Sequence, residues 1–472
     1  MNLAENTQYD LVIIGAGPGG YVAAIRAAQL GMKVACVEKQ YLGGTCLNVG
    51  CIPSKALLDS SQRYYELKGD IAKHGIAVGN LSLDLHKMIA RKDDVVKSLT
   101  SGVGMLFRKN KVDHFPGTGA IKSASQVEVS AADGSKQTLS AKYILIATGS
   151  VPAGLPTISF DGKNILSSTE ALALIEVPKK LLVVGAGYIG LEMSSVWSRL
   201  GAEVQVLEFL DRALPGMDKE FAGLLQRSLE KQGIKFHFGV IAESAKVENG
   251  KIKVAWKSKD GSQTGSEDAD KVLVSIGRKP LTESLGLEKL NVMMDKRGFI
   301  QVNTKTFETS VRGIFAIGDV IGGLMLAHKA EEEGIAAVER MAGQAGHVNY
   351  KHCPAVVYTH PELATVGLDE ETAKAQNLTI KIGKFPFAAN GRAKAMGETE
   401  GSVKIIADAK TDEILGCQIL GPHASDMIAE VTVAMEMGAS SEDIARSFHA
   451  HPTLEEAIKE AAMAVDKHAI HI

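Results

Sequence analysis

The sequence predicts an α/β protein with two Rossmann-like lobes and a C-terminal α+β domain. Three observations carry this expectation. The buried-strand pattern Asp10-Leu11-Val12-Ile13-Ile14 runs into Gly15-Ala16-Gly17-Pro18-Gly19-Gly20. The same order returns when Leu181-Leu182-Val183-Val184 runs into Gly185-Ala186-Gly187-Tyr188-Ile189-Gly190. From about residue 350 the texture changes to strands such as Val403 to Ile406 and Ile414 to Leu420, read as alternating and followed by helical stretches.

Each glycine turn leads into an apolar helix expected to end at a glycine, Gly31 in the first copy and Gly201 in the second. Each then resumes as a strand closing on an acid, Val34 to Glu38 and Val204 to Glu208. The interval from first glycine to acid is 23 positions in both copies, 15 to 38 and 185 to 208. A single such motif is weak evidence, whereas two with matching strand, helix and acid are strong. The first glycine permits the tight turn, the second lets backbone approach a pyrophosphate, and the third lets helix pack on strand. The helix N-terminus then faces the phosphates with its partial positive charge. A carboxylate at the strand end accepts from ribose hydroxyls and repels a 2′-phosphate.

Later landmarks divide the chain. Tyr143 to Ser150 is an apolar strand ending in a small-residue turn, and Lys271 to Arg278 repeats that pattern before Pro280. Gly313 to Asp319 is a third, ending in an acid. The expected domains are 1–150 with 280–349, then 151–279, then 350–472.

Bulk properties narrow the classes. A length of 472 residues suggests about three domains. Apolar residues at 45% and charged residues at 23% are ordinary for globular chains. The net charge of −3 gives no reason to expect nucleic acid or an anionic membrane. No apolar run approaches the roughly 20 residues of a membrane helix. The opening MNLAENTQY is polar and has no leader pattern. Five cysteines, an odd and small number, do not make a secreted disulfide framework. A cytoplasmic location fits best, with a mature mitochondrial matrix protein as the other compartment the sequence admits.

The chemistry concentrates in Gly43-Gly44-Thr45-Cys46-Leu47-Asn48-Val49-Gly50-Cys51-Ile52-Pro53-Ser54-Lys55. Two thiols five residues apart can meet if they begin a helix with a distorted first turn, and Gly43, Gly44 and Gly50 supply backbone freedom. A helix N-terminus lowers a cysteine pKa, and Pro53 suits a first turn. Lys55 lies one helical turn after Cys51, on the same face. Glu192 is a conceivable partner for it. No second Cys/His pair stands at zinc spacing, so no metal site is expected. Cys36, Cys353 and Cys417 read as structural, and core packing suits Cys36 and Cys417.

A second cluster is His449-Ala450-His451-Pro452-Thr453-Leu454-Glu455-Glu456. A histidine can deprotonate a thiol near neutral pH, and a carboxylate on its other nitrogen would fix the tautomer. The pattern also reads as a helix start, with Pro452 in the first turn and the two glutamates inside.

Taken together, GGTCLNVGCIPSK, GAGYIGLE, GIFAIGD, MLAHKAEEEG and HAHPTLEE, in this order, resemble the flavin disulfide reductases. The resemblance runs from Tyr9 to about Ala461 and is closest to the branch that oxidises protein-bound dihydrolipoamide with NAD. It implies FAD on Gly15, Gly17, Pro18, Gly19, Gly20, Glu38 and Lys39. Gly44, Thr45, Cys46, Lys55 and Gly119 would join that site, as would Ala147, Thr148, Gly149, Ser150 and Asp319. Met325, Leu326, Ala327 and His328 would run along the flavin. NAD would lie on Gly185, Gly187, Ile189, Gly190 and Glu208, with Tyr188 over the nicotinamide pocket and Gly277 and Arg278 nearby.

The resemblance further implies a redox disulfide between Cys46, which exchanges with substrate, and Cys51, nearest the flavin. His451 would be the acid/base, oriented by Glu456, and Lys55 would pair with Glu192. The His451–Glu456 pair would come from the other subunit of a homodimer formed by the C-terminal domain. Partners would be lipoyl-bearing acyltransferases or H-proteins, the lipoyl group coming from another chain. Glutathione reductases share the scaffold but place arginines after the second nucleotide strand, where Phe209, Leu210 and Asp211 stand here, with Arg212 later. Mercuric reductases carry a C-terminal cysteine pair, and nothing after Cys417 is cysteine. The related soluble transhydrogenases lack the redox pair. A purely structural docking subunit would not need Cys46, Cys51, His451 and Glu456 intact.

Overall fold

The computed structural model describes residues 8–248 and 250–472. The opening stretch Met1 to Thr7, read above for its polar character, lies outside the described residues. Two compact units emerge. Unit 1 comprises Met1–Ala56, His86–Ala153 and Gly277–Val348, and unit 2 comprises Leu57–Leu85, Gly154–Ile276 and Asn349–Ile472.

Unit 1 is organised by a seven-stranded sheet. Tyr9–Ile14 lies between the parallel strands Val34–Glu38 and Lys136–Ile146, with Ile13 in register with Cys36 and Leu145. Ile314–Ala316 pairs parallel with Lys136–Ile146, and Asp113–Pro116 extends the other side. Gln126–Ser130 and Thr118–Ser123 complete the sheet in antiparallel fashion. Leu11, Val12, Ile13 and Cys36 are wholly buried, because apolar clusters cover both sheet faces. Continuous apolar runs are what a doubly covered parallel strand requires. The helix Pro18–Gln29 stops one residue before the cap Leu30, and Gly31 follows at φ +86°.

Unit 2 contains a five-stranded parallel sheet in the order Lys235–Phe238, Glu203–Glu208, Lys180–Val184, Lys271–Val274 and Ile165–Leu166. The helix Tyr188–Leu200 crosses from the second strand-turn and ends at Gly201 in the left-handed region. Val240–Glu248, Lys251–Ser258 and Thr264–Ala269 form a separate antiparallel sheet. The C-terminal region is an antiparallel sheet of Ala355–Val357, Glu362–Gly367, Ile414–Gly421, Ser402–Asp408 and Ile380–Pro386. Its core includes residues of the helices Ala424–Glu436, Ser441–Arg446 and Glu456–Val465.

Two local expectations are corrected. The C-terminal strands do not alternate between buried and exposed: five consecutive residues of Ser402–Asp408 are buried. Lys404, the charged residue within that run, is itself inside, with Nζ 2.7 Å from Asp218, 3.1 Å from Glu220 and 3.0 Å from Glu370. A buried ammonium stands there because three carboxylates replace its water. The last helix starts at Glu456, with Glu455 as its cap, so Pro452 precedes it. The four residues from Pro452 to Glu455 form the turn instead, around a Thr453 amide that donates to Glu456 Oε2 at 2.9 Å.

Candidate active site

The duplicated glycine turns are built alike. Gly15 has φ +104° and Gly185 has φ +106°. A Cβ on Gly15 would strike the Ala147 carbonyl, and one on Gly185 would lie 2.6 Å from the Ser275 carbonyl. In both, the first glycine is therefore required by conformation and by space. The middle glycines, Gly17 and Gly187, differ: a Cβ on either would meet nothing within 4 Å. Backbone at these points borders open space at a helix N-terminus, the arrangement that receives a pyrophosphate. Each strand-end acid closes its turn. Glu38 accepts from the Ala16 amide at 2.7 Å and the Gln40 amide at 2.7 Å. Glu208 accepts from the Ala186 amide at 2.6 Å and the Leu210 amide at 2.8 Å. The residues present thus fit two dinucleotides.

The dithiol segment is stitched to the first turn. The Gly43 amide donates to the Ala16 carbonyl at 2.8 Å, and a Cβ on Gly44 would lie 2.6 Å from Gly17 Cα. Cys46 sits in the short helix Gly44–Val49, and Cys51 opens the helix Cys51–Lys68. The expected single distorted helix is thus two helices separated at Gly50, where φ is −140° and ψ −115°. A Cβ on Gly50 would press to 2.8 Å from the Thr45 carbonyl, so glycine is needed for the break. Both cysteines are half-buried, and a side-chain hydrogen bond joins Cys46 to Cys51. That bond to Cys51, with burial and the charge of Cys51, pushes the Cys46 thiol up. Two thiols cannot both ionise at contact distance, so the first proton to leave makes a thiolate that the other thiol stabilises. Lys55 follows on the Cys51 helix, one turn on, within unit 1.

The same unit gathers further predicted residues. Thr148 Oγ1 donates to the Leu281 carbonyl at 2.7 Å, and Ser150 Oγ donates to Asp319 Oδ2. Gly149 and Gly277 border open space, and Gly119 packs its Cα side against Ile14. Lys39 and Thr45 are exposed. Met325 and Leu326 lead into the helix Ala327–Met341, which holds Ala327 and His328 in its first turn. Gly277 and Arg278, expected beside the second nucleotide, belong to unit 1. Arg278 Nε donates to Ser150 Oγ at 2.6 Å and Nη2 to the Ser150 carbonyl at 2.8 Å. Burial pushes its guanidinium pKa down, against the pull of Asp319 3.9 Å away and of Cys51.

In unit 2, Tyr188 and Ile189 open the helix that follows the second turn, and burial raises the Tyr188 phenol. Glu192, on the same helix, is buried and accepts from the Tyr358 amide at 3.2 Å. Arg212 is turned to an ion pair: Nη2 lies 3.1 Å from Glu371 Oε2 and donates to the Pro215 carbonyl at 3.2 Å. His451 Nδ1 lies 2.9 Å from Glu456 Oε1. Burial opposes ionisation of Glu456, but the Thr453 amide and His451 together hold its carboxyl below the usual range. His449, the neighbouring histidine, is instead buried against Glu430 at 2.8 Å.

Sequence reasoning missed several residues. Lys329 and Glu333 form a buried pair under the Asp319 turn. Tyr21 and Glu331 lie within electrostatic reach of Cys46. The i,i+4 spacing of Lys329 and Glu333 inside an otherwise apolar face was the available signal.

Comparisons with known proteins agree with this geometry. Residues 9–334 match the pyridine nucleotide-disulphide oxidoreductase family, and residues 353–462 match the dimerisation domain of that family. Dihydrolipoyl dehydrogenase 1, mitochondrial, of Arabidopsis thaliana is 54% identical, covering 98% of this chain and 91% of its own. Dihydrolipoyl dehydrogenase 3 of Pseudomonas putida is 52% identical, covering 98% and 99%. Leghemoglobin reductase of Vigna unguiculata is 53% identical, covering 98% and 89%. Among solved structures, LpdA from Mycobacterium tuberculosis superposes with a TM-score of 0.89 at 28% identity, covering 96% of this chain and 98% of that one. The flavoprotein disulfide reductase RclA from Escherichia coli gives 0.86 at 27%, covering 97% and 99%. Among the described residues no helix is long and apolar enough to cross a membrane. With its two nucleotide turns, its adjoining dithiol and its dimerisation domain, the chain belongs to the pyridine nucleotide-disulphide oxidoreductases, enzymes that use FAD and a nicotinamide nucleotide.

Proposed function

We propose that this enzyme is a dihydrolipoamide dehydrogenase, oxidising protein-bound dihydrolipoamide to lipoamide and reducing NAD to NADH. The observation that carries the reading is the direct backbone contact between the dithiol segment and the first glycine turn, Gly43 to Ala16 and Gly44 against Gly17. A dithiol built onto a nucleotide turn couples thiol exchange to a bound redox cofactor.

The residues divide the work as follows. Gly15 to Gly20 and Glu38 hold the nucleotide half of FAD, with Asp319, Thr148 and the Met325–His328 segment completing that site. Gly185 to Gly190 and Glu208 hold NAD, and Tyr188 covers its nicotinamide pocket. Lys55, one helical turn after Cys51, and Glu192, on the helix after the second turn, are further members of the catalytic set. His451, its Nδ1 taken by Glu456, accepts the substrate thiol proton at Nε2. The resulting thiolate attacks Cys46 of the Cys46–Cys51 disulfide, and a mixed disulfide forms as Cys51 leaves as thiolate. The second substrate thiol then closes lipoamide and releases Cys46, so the enzyme gains the two electrons the substrate loses. The first glycine turn, Glu38 and Asp319 would hold FAD, which would supply the two-electron redox chemistry that links the dithiol to NAD.

The active species is a homodimer in which each His451–Glu456 pair serves the cysteines of the other subunit. Its three domains are 1–150 with 280–349, 151–279 and 350–472. The lipoyl group arrives on the acyltransferase of a 2-oxo acid dehydrogenase complex or on the H-protein of glycine cleavage, in the cytoplasm. The test is NADH formation from dihydrolipoamide by the FAD-loaded protein. Rapid formation with NAD and little with NADP is expected. Failure to reduce either nucleotide while FAD is bound would overturn the reading.

A further inference from the structure

The helix Ala327–Met341 holds a charge pair that the reaction above does not use. Lys329 and Glu333 lie 3.0 Å apart, with side-chain exposures of 3% and 0%. Such a pair roughly breaks even as a source of stability, so its value lies in what else it fixes. Lys329 Nζ also donates to the Gly322 carbonyl at 2.8 Å and the Gly318 carbonyl at 3.4 Å. Glu333 Oε2 accepts from the Gly318 amide at 2.7 Å. The pair therefore grips Gly318 by both its N–H and its C=O, and closes the far end of the turn at Gly322. These are charge-assisted bonds in a dry site, stronger than neutral ones.

Asp319 is carried by this turn, directly after Gly318, and its carboxylate accepts from Ser150 Oγ. Gly318 at φ +75° and Gly322 at φ +80° leave the turn few restraints of its own. The same helix is locked to the first glycine turn, since a Cβ on Gly334 would lie 2.7 Å from the Gly19 carbonyl. Arg26 and Glu339 join the two helices again at 2.6 Å. One rigid element thus references the Asp319 carboxylate to the phosphate turn.

We infer that Lys329 and Glu333 are positioning residues of the FAD site, holding Asp319 where it meets a hydroxyl of the flavin nucleotide. The inference rests on the reading of Asp319 as an FAD ligand. The test compares purified holoenzyme with Lys329→Met/Glu333→Leu, Glu333→Gln, Asp319→Asn and Lys329→Met/Glu333→Leu/Asp319→Asn, following release of FAD by its fluorescence and the visible circular dichroism of bound flavin. The Lys329→Met/Glu333→Leu protein is expected to bind FAD weaker by about tenfold or more, the scale of one or two lost hydrogen bonds. Its flavin dichroism should change, and adding Asp319→Asn should cost little further, because the carboxylate is already misplaced. FAD retention and dichroism equal to wild type would overturn the inference. If the two-site variant does not fold, Glu333→Gln decides: faster FAD release with an altered flavin signal supports it, and unchanged release overturns it. Unchanged FAD retention in Asp319→Asn would remove the ligand reading itself, a separate failure.

Discussion

His451 and Glu456 meet at 2.9 Å, Nδ1 to Oε1, while the other oxygen of the same carboxylate accepts the Thr453 amide. The carboxylate is thereby fixed by backbone and fixes the ring in turn. Because its pKa lies below the ordinary range, near 4.3 for glutamate, it stays anionic above that pH and supports an imidazolium throughout the working range. Glu456→Gln should lower kcat/KM for dihydrolipoamide by about a hundredfold. His451→Gln should lose more, about 10²–10⁴-fold. Steady-state kinetics of each variant checks this; unchanged kcat/KM in Glu456→Gln would remove Glu456 from the role.

We propose that Glu208 sets the nucleotide preference. Its two oxygens are held by the Ala186 and Leu210 amides, which aim a carboxylate at the strand end. The one nearby arginine, Arg212, is drawn off by Glu371 and the Pro215 carbonyl. Glu208→Gln with Glu371→Ala should reduce the NAD over NADP ratio of kcat/KM by about ten- to a hundredfold, by removing a repulsion and releasing a cation. Steady-state kinetics with both nucleotides measures it; an unchanged ratio would show that discrimination resides elsewhere.

His449 gives a pH signature of stability. Its hydrogen bond to Glu430 raises its pKa, against burial. The folded state then holds the proton more tightly than the unfolded chain, whose histidine titrates near pH ~6.5. The stabilisation is full below that value and is lost as pH rises through the raised folded pKa. Melting temperatures of wild type and Glu430→Gln should therefore differ most at acid pH and converge as pH rises past that pKa. A gap that widened toward alkaline pH would contradict the assignment.

How far the sequence spoke can be traced residue by residue. The glycine turns were legible because Gly15, Gly20, Gly185 and Gly190 leave no room for a Cβ, and Glu38 and Glu208 because each closes a strand 23 positions after its first glycine. The dithiol was legible from spacing, but its break at Gly50 was not, since a contact with the Thr45 carbonyl decides it. The C-terminal strands misled because Lys404 looks solvated until Asp218, Glu220 and Glu370, remote in sequence, are brought to it. The hydrogen bonds of Arg278 to Ser150 were not legible for the same reason, since Ser150 is 128 positions away in sequence.

The C-terminal domain also carries exposed apolar side chains. Val433 and Met437 follow one another by a helical turn at the end of Ala424–Glu436, and Phe448 is fully exposed on the chain. On a domain that matches the dimerisation family, exposed apolar side chains of this size are where we place the subunit contact. Phe448→Asp should shift the dimer toward monomer and make activity depend on protein concentration. Analytical ultracentrifugation checks it, and a stable dimer with full activity would place the interface elsewhere.

The central claim is that electrons enter through Cys46. The most direct measurement is NAD reduction by dihydrolipoamide in Cys46→Ser holoenzyme against wild type, with bound FAD confirmed in both. Loss of turnover with FAD retained is the predicted result. Full turnover in Cys46→Ser would mean that the dithiol is not the relay, and the disulfide mechanism would fall.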